Sequence, residues 1–119
     1  VSSTVEDWVE EGTLAFTMGD HAEALKWLHQ AAEHAPDYFP AWHALTEVYY
    51  AEKQYEQAKA MAEKAYALNP QDVHINTSLS RIWLELGSKE KAEQFGAAAR
   101  MLSWKEELRN PPPKGSADL

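Results

Sequence analysis

Residues 39–72 read FPAWHALTEVYYAEKQYEQAKAMAEKAYALNPQD. Trp42, Leu45, Tyr49 and Tyr50 fall at helical spacing, and further on so do Tyr55, Ala58, Ala62, Ala65 and Leu68. An apolar set that recurs every three or four residues marks one face of a helix. The stretch therefore reads as two amphipathic helices, the second ended by Pro70, because proline disfavours helical geometry in the residue before it.

The same unit stands on both sides. Residues 5–38 place Trp8 on Trp42, Ala24 on Ala58, Ala31 on Ala65 and Pro36 on Pro70. Residues 73–106 place Leu79 on Leu45, Gly87 on Gly19, Ala92 on Ala58 and Ala99 on Ala65. Three copies of 34 residues thus tile 5–106 without an insertion. A helix pair alone cannot bury its apolar face, whereas a stack of pairs shares one core. Period and anchors resemble the tetratricopeptide repeat, W-x2-L-G-x2-Y, then A-x3-F, then P. The middle copy matches with Trp42, Leu45, Tyr49, Ala58 and Pro70; the first with Trp8, Gly12, Ala24, Leu28 and Pro36. In the third, Asn76 replaces the tryptophan and Ser80 the glycine. The resemblance implies an all-α, right-handed α-solenoid of three helix-turn-helix repeats, expected here to end in a short C-terminal capping helix.

Six helices are expected, at about 4–17, 21–35, 38–51, 54–68, 72–86 and 88–102, with boundaries good to roughly 2–4 residues. Gly19-Asp20 and Gly87-Ser88 punctuate the pairs, glycine closing one helix and Asp or Ser capping the next. Ser3 to Glu6 and Asp20 to Glu23 read as capping boxes. Alanines at 24, 31, 58, 65, 92 and 99 let helices approach closely. Ala15, Tyr49 and Trp83 grow in size while their counterparts Leu28, Ala62 and Gly96 shrink. The two series are expected to face each other with their joint volume conserved.

The net charge of −8 lacks the basic face that nucleic acid requires. It argues equally against an anionic membrane surface. Residues 1–37 carry −7, residues 38–72 carry −2 and residues 73–119 carry +1. With no cysteine, disulfides, thiolate metal sites and a cysteine nucleophile are excluded. No stretch approaches a membrane span, and the acidic start VSSTVEDWVEE does not read as a signal peptide. The default expectation is a cytoplasmic protein. None of the five histidines is three or four residues from another, as a helical zinc pair requires. There is no glycine-rich phosphate loop, nucleophile elbow or calcium loop. The expectation is a non-enzymatic chain with no cofactor. Most tryptophans and tyrosines occupy repeat anchors, while Trp27 is placed on the outer surface.

The resemblance implies a concave groove lined by the first helix of each repeat, which binds a partner segment. The corresponding positions are Glu6, Val9, Glu10, Thr13, Phe16 and Thr17; His43, Ala44, Glu47, Tyr50 and Ala51; and His74, Thr77, Ser78, Arg81, Leu84 and Glu85. The family's clamp for acidic chaperone tails would need cations or amides at Val9, Thr13, Ala44, His74 and Ser78, and none is there. Glu6, Glu10, Glu47 and Glu85 would repel such a tail. The expected partner is a protein or peptide segment of basic and apolar character, held by an adaptor or a subunit of a larger complex. The alternative is homotypic assembly, either head to tail or with the proline tail in a neighbour's groove.

The period calls for a third proline at 104, where the chain has Trp104. Either a short capping helix runs over 104–109 from a Ser103–Glu106 box, or the last helix continues through Trp104. In both cases Met101, Trp104 and Leu108 are expected to cover the end of repeat three. The expected organisation is a repeat domain over 1–110 and a flexible proline-containing tail over 111–119.

Overall fold

The computed structural model describes residues 4–111 and 113. Its six helices are α1 (Val5–Thr17), α2 (His21–His34), α3 (Phe39–Ala51), α4 (Tyr55–Leu68), α5 (Val73–Glu85) and α6 (Lys89–Arg109). They form three helix pairs, each stacked on the next, an α-solenoid with no strand among the described residues.

Every helix pair is closed by the same turn. Gly19, Lys53 and Gly87 occupy the left-handed region at φ 84°, 61° and 92°. There the amide of the next residue reaches the carbonyl five residues back: Asp20 to Ala15, Gln54 to Tyr49 and Ser88 to Trp83. Asp20 and Ser88 then cap α2 and α6 by accepting from Glu23 N and Lys91 N. Gln54 gives α4 no side-chain cap. The first capping box is built one residue later than expected. Thr4 accepts from Asp7 N while Asp7 accepts from Thr4 N, both at 3.0 Å; Ser3 lies outside the described residues. At the second box, the Glu23 carboxylate accepts from Trp27 Nε1.

Two core clusters result. Ala24, Leu28, Ala31 and Ala32 of α2 meet Ala41, Leu45 and Val48 of α3. Ala58, Ala62 and Ala65 of α4 meet Ile75, Leu79 and Ile82 of α5. Trp42 and Tyr49 pack on both clusters and join them. Trp42 also donates from Nε1 to Pro36 O at 2.8 Å. One repeat later the buried Asn76 donates to Pro70 O at 3.0 Å. The apparent loss of an anchor therefore keeps its hydrogen bond.

The expected facing of Trp83 against Gly96 does not occur, while Ala15 and Tyr49 do pack on the clusters that hold Leu28 and Ala62. A Cβ on Gly12 would stand 2.6 Å from Leu28 Cγ, and one on Gly96 would stand 3.2 Å from Ser80 Oγ. Gly12 thus faces Leu28, and Ser80, at the same repeat position as Gly12 and three residues before Trp83, faces Gly96. Tyr49 also meets His29 of the preceding repeat, ring nitrogen to hydroxyl at 2.7 Å. Trp83 lies beneath Lys59 and Lys91. Positions three apart share nearly one helical face, so a trend in size alone cannot separate them.

Of the two readings of the chain's end, the structure takes the continuous one. α6 is a single helix of 21 residues against 13 in α5, with no break at Trp104. Its last two turns run past the start of α5. Leu102 is half-buried there, but Trp104 is 56% exposed. Met101, Trp104 and Leu108 thus do not cover repeat three. Residue 112 and residues 114–119 of the expected tail lie outside the described residues.

Candidate partner groove

The first helices α1, α3 and α5 stand side by side and make the groove. A cleft of about 330 Å³ opens between α1 and α3. Val9, Thr13 and Phe16 form one wall, Pro40, His43, Ala44, Glu47 and Val48 the other, and Leu28 of α2 the floor. A cleft of about 250 Å³ continues between α3 and α5, lined by His43, Glu47, His74, Thr77, Ser78 and Arg81. His43 and Glu47 belong to both. One half of the groove is thus apolar and the other polar.

The polar half is held by contacts between repeats. Arg81 donates from Nη2 to both Glu47 oxygens at 3.1 and 3.3 Å, and Ser78 donates to Glu47 Oε2 at 2.7 Å. The Arg81 guanidinium also lies 4.7 Å from the centre of the Tyr50 ring, which packs edge-on to Tyr55. The His43 and His74 rings stack at 6.3 Å, and Phe39 lies beyond His43 at 5.7 Å.

The expected groove residues therefore divide. Val9, Thr13, Phe16, His43, Glu47, His74, Thr77 and Arg81 line the clefts. Glu6, Glu10 and Leu84 are exposed on α1 and α5 outside them. Tyr50 is half-buried beneath Arg81 and is not an open apolar surface. Glu47 is not an unopposed charge. Leu28, Pro40 and Val48, which the sequence did not suggest as lining residues, complete the apolar cleft.

Among the described residues, no three His, Asp or Glu side chains are grouped as a metal would need. No described helix is long and apolar enough to cross a membrane. Burial, and then the Glu52 carboxylate, push the Tyr49 phenol above its ordinary pKa.

Among curated proteins none matches the chain. Solved structures with a similar fold include "Crystal structure of MamA protein", with a TM-score of 0.79 and 17% identity over 92% of this chain and 60% of that one. "Crystal structure of MamA" gives 0.83 and 19% over 88% and 61%. "MamA RS-1 ArsTM double mutant" gives 0.81 and 17% over 87% and 58%. The chain spans about three-fifths of the length of these neighbours, and at such identity the likeness is one of fold. A family model for the tetratricopeptide repeat matches residues 15–64 and again 49–101. Most of the chain is covered by these two matches, and the protein belongs to the tetratricopeptide repeat family.

Proposed function

We propose that the protein is a non-enzymatic adaptor that holds an extended partner segment in its concave groove. The observation that carries this reading is the apolar cleft between α1 and α3; Glu6 and Glu10 are exposed on the same helix as its wall residues Val9 and Thr13. A cleft of about 330 Å³ suits one large apolar or aromatic side chain, and buried anchors of that kind carry most of the energy of peptide recognition. Basic residues beside the anchor would meet Glu6 and Glu10. The fit is to a basic and apolar segment, and an acidic tail meets the wrong charge.

The test is binding of basic-aromatic peptides at two salt concentrations. Ala44→Leu, which fills the cleft from its wall, is expected to weaken binding about tenfold or more. Glu6→Lys with Glu10→Lys is expected to remove most of the salt dependence. Binding that ignores both changes would rule the groove out.

A further inference from the structure

Two exposed helical stripes with the same spacing lie at opposite ends of the solenoid. On α1 and its C-cap, Asp7, Glu11, Leu14 and Met18 follow one another at intervals of four, three and four. On α6, Ala97, Met101, Trp104 and Leu108 do the same. All eight side chains are exposed, Leu14 at 55%, Met18 at 76%, Met101 at 50% and Leu108 at 64%.

The α1 stripe is the receiving face of a repeat. Its counterparts Ala41, Leu45 and Val48 in α3 are buried against α2, and Ile75, Leu79 and Ile82 in α5 against α4. In α1 no described element covers this face. Beside it lies a cleft of about 450 Å³ formed by Glu11, Leu14, Ala15, Met18, Asp20, Glu23 and Trp27. It is apolar at its centre and acidic around it.

We propose that the projecting end of α6 in one copy docks on this α1 face of a second copy, joining solenoids head to tail. Charge and register single out this occupant. Antiparallel apposition, the direction α2 takes against α3, pairs Leu108 with Asp7, Trp104 with Glu11, Met101 with Leu14 and Ala97 with Met18. Lys105 then stands beside Glu11, and Arg109 beside Asp7. Trp104 reaches the cleft between Leu14, Met18 and Trp27, where its ring is covered. Arg109 already bridges Glu106 at 3.0 Å, so Lys105 is the cation that decides the pairing. The next-repeat face of α6 does not compete. It is occupied by the Arg100–Glu93 ion pair at 2.7 Å. The two docking faces differ, so the contact is heterologous and each copy keeps a free end.

The experiment is sedimentation velocity of the whole chain over a concentration series at low and high salt. The wild-type chain is expected to grow with concentration and to dissociate with salt. Glu11→Lys and Lys105→Glu should each weaken association about tenfold. An equimolar mixture of the two should recover longer assemblies in which the variants alternate, because each end of one is complementary in charge to the opposite end of the other. Glu11→Lys with Lys105→Glu in one chain should restore longer assemblies. Glu10→Lys, one residue away on the groove side, should leave association unchanged. A wild-type monomer at millimolar concentration overturns the proposal. So does an equal effect of Glu10→Lys and Glu11→Lys, or a mixture that remains as dissociated as its components. None of these outcomes touches peptide binding in the groove, so the two readings fail separately.

Discussion

Glu47 and Arg81 occupy the same position in successive repeats and are joined across the groove at 3.1 Å. Arg81 cancels in place the acid that would otherwise face a ligand. Both side chains are partly exposed, and pairs of this kind are worth about 0–1 kcal/mol. Arg81→Met, whose stem can still lie on Tyr50, should therefore cost less than about 1 kcal/mol in denaturant unfolding. It should also free the Glu47 carboxylate and tighten binding of a basic-aromatic peptide severalfold. A peptide that binds this variant more weakly would show that Arg81 itself is the recognised group.

Gly12 and Gly96 stand on opposite sides of the same kind of helix contact and should answer alanine oppositely. A Cβ on Gly12 would enter Leu28 at 2.6 and 2.8 Å and approach Ala24 O at 3.2 Å. Overpacking of a core costs about 1–3 kcal/mol, more than the roughly 1 kcal/mol that alanine gains over glycine within a helix. Gly12→Ala should lower the melting temperature, and Leu28→Ala should relieve the clash in the double variant. At Gly96 the nearest atom is Ser80 Oγ at 3.2 Å, which need give only a few tenths of an ångström and can do so while keeping its hydrogen bond to Ala92 O. Gly96→Ala should melt no lower than the parent.

Of the three turns within helix pairs, the one between α3 and α4 is the least suited in sequence. Lys53 holds φ 61°, where Gly19 and Gly87 serve the other repeats. Gln54 stands where Asp20 and Ser88 cap their helices. A side chain in the left-handed region costs about 1–2 kcal/mol, part of which glycine returns as unfolded-chain entropy. A missing cap costs about 1 kcal/mol. Lys53→Gly with Gln54→Ser should raise stability by about 1–2 kcal/mol without changing the groove. Thermal unfolding with peptide binding as a control would check both halves.

The stack was readable from the sequence because period, anchors and spacing all act over short distances along the chain. Trp42, Ala58 and Pro70 announce their roles wherever they stand in the repeat. Contacts across the groove were not readable, because they join residues 31 or 34 apart whose types carry no motif. His43 with His74, Glu47 with Ser78 and Glu47 with Arg81 are the three cases. Their offsets are one repeat, or one repeat less a helical turn, so repeat geometry could have paired them. The end of α6 was ambiguous for another reason. A serine followed three residues later by glutamate marks a helix start only if the chain first leaves the helix, and nothing around Ser103 makes it do so. Trp104 in place of proline lets the ladder run on.

Tyr49 makes stability sensitive to alkaline pH. Burial and the Glu52 carboxylate raise its pKa in the folded state. The folded chain then keeps a proton that the unfolded chain releases near pH 10. Such a group's contribution is fully present below the unfolded pKa and is lost as pH rises through the folded one. Unfolding free energy should be flat in this contribution up to about pH 9 and fall above about pH 10. Tyr49→Phe should shrink that fall. It should also cost about 1 kcal/mol at neutral pH, because His29 loses its partner. An unchanged alkaline slope would assign the effect to other groups.

Trp104 separates a cap from a contact surface. A tryptophan that seals a core costs about 3–5 kcal/mol when truncated to alanine. Trp104 is 56% exposed on a helix whose buried side carries Ala92 and Ala99. It has no core to seal, and alanine is the better helix former. Trp104→Ala should change unfolding free energy by no more than about 0.5–1 kcal/mol and leave peptide binding intact. In sedimentation the same substitution should weaken self-association about tenfold, since a central aromatic anchor carries much of a small interface. A large loss of stability would place Trp104 in the core after all. An unchanged sedimentation profile would remove it from the interface between copies.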